Sequence, residues 1–378
     1  MSEPRRVLLV TYTFGNPLAA GVFFRAIRLA TEFCNRGWSC VILNLGPLVK
    51  DPKVESPGPH ITLRNDVETG DVWKALRQFR EVDPDLVIFG EAPFAGAMKM
   101  LWGAAAMLGK PFILLEQYYG IGTPGYRFDV DMILLYGLKC FWELHANKRK
   151  RWTIISPFTG EVTPAASLPA PPSAPRVLIL GGETIVLNEG IELMAGLLAG
   201  LEGEFPQVVT VSREPTMAAQ QMAEAGIPAT HAVALPLQSD ATLFGLMQSS
   251  AAAIMANGFM QMTESLALGC PAVLIDRGLG MWPGQVNEVF EPYVSFAREK
   301  EEHRQALRGW LRQSPFDARL QERLQQERNG AIECAAHIER LLANPPVWRM
   351  KWRQAAYRAR HIRKAIGSRF QPRLAATR

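Results

Sequence analysis

The strongest constraint in this 378-residue chain is the rhythm of its apolar runs. Short, almost uninterrupted hydrophobic stretches alternate with amphipathic ones. The alternation stops once and then starts again. "RRVLLVTYT" (5–13) reads as a strand, "VFFRAIRLATEFCNRG" (22–37) as a helix stopped by glycine, and "WSCVILNL" (38–45) as a second strand. "DVWKALRQFREVDP" is a helix ended by Asp-Pro, and "DLVIFG" (85–90) the next strand. A helix over 94–108 follows, then "FILLEQ", "VDMILLYG" and "WTIIS" as three more strands. Strands apolar at nearly every position, separated by helices, belong to parallel sheets covered on both faces.

The interruption is "PFTGEVTPAASLPAPPSAPR" (157–176), dense in proline and small residues and without periodicity, which reads as a linker. The pattern then resumes with "VLILGGE", the helix "GIELMAGLLAGLEGEF", "PQVVTVS", the helix "ATLFGLMQSS", "AAAIMA", the helix "TESLALG" and "PAVLID". A helix over 327–344 is expected to close this half. The predicted fold class is therefore α/β, with two Rossmann-like parallel-sheet domains facing across a cleft. Their bounds are 1–156 and 177–344, with the linker between them and a separate segment at 345–378. Two domains also suit the length, at roughly 100–200 residues each.

Composition excludes several classes. Five cysteines, Cys34, Cys40, Cys140, Cys270 and Cys334, contain no CxxC pair, which argues against a disulfide frame or a zinc site and for a reducing compartment. The run Val7–Val10 is too short for a signal peptide, and no stretch of about 18 apolar residues is available to span a membrane. The net charge of +5 is local: residues 345–378 carry ten Lys/Arg and no Asp/Glu, while the rest has 31 basic against 36 acidic residues. Localised charge suggests a localised partner.

The chemistry concentrates in "NGFMQMTESLALGC" (257–270), between the apolar runs "AAAIMA" and "PAVLID". A glycine before a helix start leaves unpaired backbone N–H groups and a positive dipole end, suited to a pyrophosphate. Gly258 lets phosphates approach the backbone. A carboxylate a turn further on can accept both ribose hydroxyls. Helix capping at a surface is the other reading of Thr263 and Glu264. Gly181 and Gly182 end another strand and form either a phosphate loop or an ordinary βα turn. Arg213 follows the strand "VVTV" and is either a phosphate partner or a solvated arginine.

In the order of these motifs the chain resembles the GT-B-fold glycosyltransferases. Among them it is similar to the lipid I N-acetylglucosaminyltransferase family and to related predicted sugar transferases. Three stretches carry the resemblance: "DLVIFGEAPFAGAMKMLWGAAAMLGKPFILLEQYYGIG", "VLILGGE" and "AAAIMANGFMQMTESLALGCPAVLID". It implies a metal-independent transferase with no cofactor, using a UDP-sugar as donor. It implies donor binding by Gly181, Gly182, Arg213, Asn257, Gly258, Phe259, Thr263 and Glu264, with Glu264 on the ribose. Gln285 and Asn287, in "GLGMWPGQVNEVF", match the segment that contacts the donor sugar. The first half would take the acceptor, through Phe14 and Asn16 in "TFGNPLAAG"; in the aromatic, glycine-rich "EQYYGIGTPGYRFD", Tyr118, Tyr119 and Tyr126 are either a platform for a sugar ring or apolar acceptor or packing groups.

One departure is plain. The loop 13–21 has no histidine where many relatives carry one facing the acceptor, and the six histidines of the chain lie elsewhere. Glu91 in "FGEAPF" and Glu116 in "LLEQYY" are then the candidate catalytic carboxylates, both at strand ends, with Glu91 favoured as base. A retaining mechanism without an enzymic base stays open. "DVD" (129–131) has the spelling of a metal motif but precedes a strand in the acceptor half and reads as a loop, so no metal ligand is assigned. Two other functions remain: a scaffold that kept this fold and lost catalysis, and a UDP-sugar epimerase.

The segment 345–378 repeats Trp348, Trp352, Ala355, Ala359, Ile362, Ile366 and Phe370 at helical spacing among its basic residues. It reads either as a helix lying on an anionic membrane, with the enzyme peripheral on the cytoplasmic face and its acceptor membrane-borne or a polysaccharide, or as a terminal helix packing its stripe on the body. Nucleic acid binding ranks below both, because no basic groove or known motif supports it.

Overall fold

The protein is described by a computed structural model covering residues 4–13, 21–46, 58–67, 69–91, 96–116, 129–142, 153–160, 162, 174–201, 205–256, 258–276, 290–296 and 299–370. It divides into two compact units. The first holds 1–135, 151–153 and 332–378, and the second holds 136–150 and 154–331.

Seven strands form the first sheet: β1 (Arg6–Tyr12), β2 (Ser39–Leu45), β3 (Ile61–Arg64), β4 (Leu86–Phe89), β5 (Phe112–Glu116), β6 (Met132–Tyr136) and β7 (Thr153–Ile155). Their spatial order is β3-β2-β1-β4-β5-β6-β7. The pairings from β3 to β6 are parallel. The chain order reverses at β1 and β4, which is the topological switch point where open α/β sheets bind ligands at the strands' carboxyl ends. β4 and β5 are buried at every position, as their unbroken apolar runs require.

Helices α1 (Gly21–Asn35), α2 (Val72–Val82) and α3 (Gly96–Leu108) connect these strands. Local chemistry sets the limits of α2: the Asp71 side chain accepts from the Trp73 N–H at the start, and Asp83 turns left-handed (φ 46°) at the end. Gly90, after β4, lies so close to Val22 that a Cβ there would sit 2.6 Å from Val22 Cγ1. A larger residue would push α1 off the end of β4.

The second sheet repeats the order. β8 (Arg176–Gly181), β9 (Gln207–Ser212), β10 (Ala232–Leu235), β11 (Ala252–Ala256), β12 (Ala272–Ile275) and β13 (Val294–Ser295) lie as β10-β9-β8-β11-β12-β13, all parallel. Its switch point falls at β8 and β11. Around it run α4 (Lys139–Trp142), α5 (Thr184–Leu198), α6 (Pro215–Glu224), α7 (Asp240–Gln248), α8 (Phe259–Ala267), α9 (Lys300–Arg312) and α10 (Ala318–Gln326). Two further helices follow, α11 (Gly330–Ala343) and α12 (Val347–Phe370).

Three expectations need correcting. The sequence reading passes over β3, β10, β13, α4, α6, α9 and α10. β10 is only half-buried, β13 is two residues long, and α9 buries just His303, Leu307 and Trp310 in an otherwise polar helix, so their apolar signals are thin. The second half does not end at 344: from Ile332 the chain belongs to the first unit, where Glu339 Oε1 lies 3.0 Å from Arg36 Nη1. The linker also begins later than proline content suggests. Phe158 and Thr159 are buried, the Gly160 N–H donates to the Arg328 carbonyl at 2.9 Å, and the Gly330 N–H donates to that of Pro157 at 3.1 Å. Residues 163–173 lie outside the described residues.

Candidate functional site

In the second unit the predicted donor residues gather at the carboxyl edge of the sheet. Helix α8 starts at Phe259, one turn earlier than the run "TESLALG" indicates, with Gly258, which has no side chain to cap it, at its N-cap. A Cβ at Gly258 would meet only the Ala256 carbonyl at 3.8 Å, and one at Gly182 would meet nothing within 4 Å, so both backbones are open to approach. Gly181 differs. A Cβ there would lie 2.7 Å from Leu187 Cδ1, so its missing side chain is explained by the packing of α5 on β8. Gly190 serves the same contact from the helix side, against Ile179 at 2.8 Å. Sequence reading did not single out Gly190, although a glycine inside an apolar helix is a signal of close packing.

Ser212 ends β9 in register with Gly181. It is 1% exposed, and its hydroxyl has no hydrogen-bond partner among the described residues. Buried hydroxyls are ordinarily bonded, so an orphan at the switch-point edge marks a place suited to a polar ligand. Arg213, next in sequence, is exposed.

Thr263 and Glu264 fall on the second turn of α8, and both are buried. The Thr263 hydroxyl donates to the Phe259 carbonyl of its own helix. That bond uses the hydroxyl hydrogen within the helix and leaves the oxygen as an acceptor. Glu264 is 2% exposed and accepts from the Tyr136 hydroxyl at 3.1 Å. The Tyr136 hydroxyl also faces the Phe158 N–H at 3.4 Å, and its ring meets that of Phe158 edge-on at 5.2 Å. The surface-cap reading of Glu264 is thereby set aside: the carboxylate is an interior group with a phenol oriented on it. Tyr136 was not recognised from sequence, where it is one apolar-run residue among many. Phe259 is buried. Asn257, Gln285 and Asn287 lie outside the described residues.

In the first unit Glu91 follows β4 at the switch point and is half-buried, while Glu116 is the last residue of β5 and is buried. Continuing the Phe89↔Leu114 register by two residues brings the two carboxylates level on adjacent strands. Beneath them lies a group that sequence reading missed. Arg25 of α1 is fully buried, and its Nη2 donates to the carbonyls of Gly90 and Leu115, the latter at 3.2 Å. These carbonyls immediately precede Glu91 and Glu116, so one guanidinium ties both strand ends. The only available sequence signal was a charged residue on the buried face of an amphipathic helix. Phe14, Asn16, Tyr118, Tyr119 and Tyr126 lie outside the described residues.

The Asp129–Asp131 motif has a structural task. Asp131 Oδ2 accepts from the Phe112 N–H at 2.8 Å, and its Oδ1 is 2.8 Å from Arg353 Nη1. Asp129 Oδ2 accepts from the Tyr357 hydroxyl at 2.6 Å. Among the described residues no group of three His, Cys, Asp or Glu is arranged to hold a metal ion. All five cysteines are free, and burial pushes the Cys140 and Cys270 thiols up to about 12, away from thiolate chemistry. A cavity of about 430 Å³ in the first unit is lined by Arg5, Arg6, Asp85 and Pro111 at the amino ends of strands, opposite to the candidate catalytic edge.

Two parallel sheets, each with the 3-2-1-4-5-6 order at its centre, define the GT-B class of fold, and solved structures agree. No protein-family model and no curated protein matches the chain by sequence. The calicheamicin glycosyltransferase CalG4 is similar over 91% of this chain and 100% of its own, at 16% identity and a TM-score of 0.61. MurG of Acinetobacter baumannii is similar over 89% and 100%, at 14% identity and 0.60. The spinosyn rhamnosyltransferase SpnG, solved with thymidine diphosphate, is similar over 88% and 99%, at 14% identity and 0.59. At these identities the likeness establishes the GT-B fold over nearly the whole chain.

Proposed function

We propose that the chain is a nucleotide-sugar-dependent glycosyltransferase, with a UDP-sugar as donor. The observation that carries this reading is the carboxyl edge of the second sheet. Two open glycine backbones, Gly182 and Gly258, an orphan buried hydroxyl on Ser212 and the buried carboxylate of Glu264 lie on the elements that meet at one switch point. The glycine-led start of α8 supplies a positive dipole end for the diphosphate, with Arg213 as a second positive group. Glu264, held by Tyr136, accepts the ribose hydroxyls. The thymidine diphosphate in the SpnG structure supports a pyrimidine nucleoside diphosphate as the ligand class.

The acceptor belongs to the first unit. Glu91 takes the proton of the attacking hydroxyl as the anomeric carbon becomes oxocarbenium-like, and Arg25 fixes the strand ends that carry Glu91 and Glu116. The transfer needs no metal in this reading, since the aspartates with the spelling of a metal motif are engaged by Arg353, Tyr357 and the Phe112 amide. The test is nucleotide release from UDP- and TDP-sugars, with and without lipid-linked and polysaccharide acceptors, in buffer containing EDTA. Acceptor-dependent release of UDP is expected. A folded protein that neither binds nor turns over any nucleotide-sugar would overturn the reading in favour of a scaffold.

A further inference from the structure

Helix α12 carries the basic, tryptophan-led stripe, and the structure shows which face of it is buried. The buried face is polar. Arg353 is 1% exposed and donates to the carbonyls of Asp129 at 3.1 Å and Lys110 at 2.8 Å, beside Asp131. Gln354 donates to the Met107 carbonyl at 2.9 Å, and Tyr357 to Asp129. Gly103 and Gly109 make room for this contact with α3 and the turn after it: a Cβ at Gly103 would meet His361 Nε2 at 3.1 Å, and one at Gly109 would meet Gln354 Nε2 at 2.6 Å. Residues 350, 353, 354, 357 and 361 therefore form the inward side.

At 3.6 residues per turn the opposite side carries the stripe. Trp348 is 75% exposed, Trp352 63%, Val347 49% and Ile362 48%, and Ala355 and Ala359 between them are exposed as well. Lys351, Arg360 and Arg363 are exposed beside it. A terminal helix packed for stability alone would bury its tryptophans and leave its arginines in water. This one buries an arginine and leaves two tryptophans out.

We infer that the outward face of α12 docks the folded protein on an anionic lipid bilayer. This deepens the proposed function by naming the surface at which the acceptor is met, but it rests on its own observations. Charge complementarity selects the partner: the segment 345–378 carries ten Lys/Arg and no acid, and beside the outward stripe Lys351, Arg360 and Arg363 are exposed, suited to a surface of anionic phosphates. The aromatic stripe selects a bilayer over a nucleic acid, because tryptophans suit the headgroup boundary. Among the described residues no helix is long and apolar enough to cross a membrane, which fits attachment in the interfacial plane.

The experiment uses the full chain, because deleting 345–378 would strip the contact with α3. Vesicles of phosphatidylcholine, with and without phosphatidylglycerol, are co-sedimented with the parent, with a Trp348→Ser/Trp352→Ser variant and with a Lys351→Glu/Arg360→Glu/Arg363→Glu variant. The parent is expected on anionic vesicles only, released by salt. Each basic residue near the surface is worth roughly a fivefold factor in partition, so the charge variant should lose about a hundredfold or more. The tryptophan variant should lose about tenfold, with melting temperature unchanged because the face is outward. The inference is overturned by equal binding of parent and variants, by no binding of the folded parent, by self-association that the tryptophan variant abolishes without vesicles, or by a preference for nucleic acid over anionic vesicles. None of these outcomes bears on nucleotide binding, so failure here and failure of the glycosyltransferase reading are distinguishable.

Discussion

Glu264 is the residue at which the donor-site reading is most exposed to refutation, because its geometry allows two roles. It is 2% exposed and bonded to Tyr136, so it is a structural partner in any case; the proposal adds the ribose. An ionised carboxylate accepts up to about four hydrogen bonds, which leaves capacity for a ligand beside the phenol. Glu264→Gln keeps the shape and an acceptor for Tyr136 but removes the charge. Charge-assisted bonds are about twice as strong as neutral ones, so UDP affinity should fall by about 1 kcal/mol, or roughly fivefold. Glu264→Ala removes the ribose bond altogether, about 1.5–3 kcal/mol, and affinity should fall roughly tenfold to a hundredfold. The alanine variant also orphans the Tyr136 hydroxyl, at a cost to stability of about 1–3 kcal/mol that the glutamine variant avoids. Affinity and stability therefore separate across the pair. Calorimetric titration with UDP gives the first and thermal melting the second. If both folded variants bind UDP like the parent, the ribose role is wrong and Glu264 only orients Tyr136.

Further expectations concern the first unit. Glu91→Gln should keep UDP affinity and lose turnover by about 10²–10⁴-fold; a rate close to the parent's would remove Glu91 as base. Arg25→Met should lower kcat while leaving the UDP Kd unchanged, and a fall in nucleotide affinity would contradict its assignment to the acceptor side. Arg353→Met leaves Asp131 buried without its ion-pair partner, at a cost of about 3–5 kcal/mol. For a unit of this size that is a drop of roughly 6–20 °C in Tm. Adding Asp131→Asn should restore part of it, and strictly additive losses would show that the pair is not coupled.

The sequence alone determined the elements whose signal is local. Unbroken apolar runs specify buried parallel strands, because the sheet's two covered faces demand them. A glycine before α8 and an Asp71 cap before α2 are likewise readable where they stand. What only the tertiary structure decided is every choice that depends on a partner far along the chain. Glu264 meets Tyr136 across 128 residues, and Arg25 reaches the carbonyls before Glu91 and Glu116 across 65 and 90. The Thr263 hydroxyl donates within its own helix, a bond available only because α8 begins at Phe259, one turn earlier than the run "TESLALG" indicates. The orientation of α12 makes the point most clearly. Periodicity shows an aromatic stripe and a basic one, and hydrophobicity alone would turn the tryptophans inward. Asp131, Asp129 and the Lys110 carbonyl, more than 200 residues earlier, offer Arg353 and Tyr357 the partners that make burying the polar face favourable. A pattern fixes which residues share a face; the complementary charges and donors on the opposing element fix which face is buried.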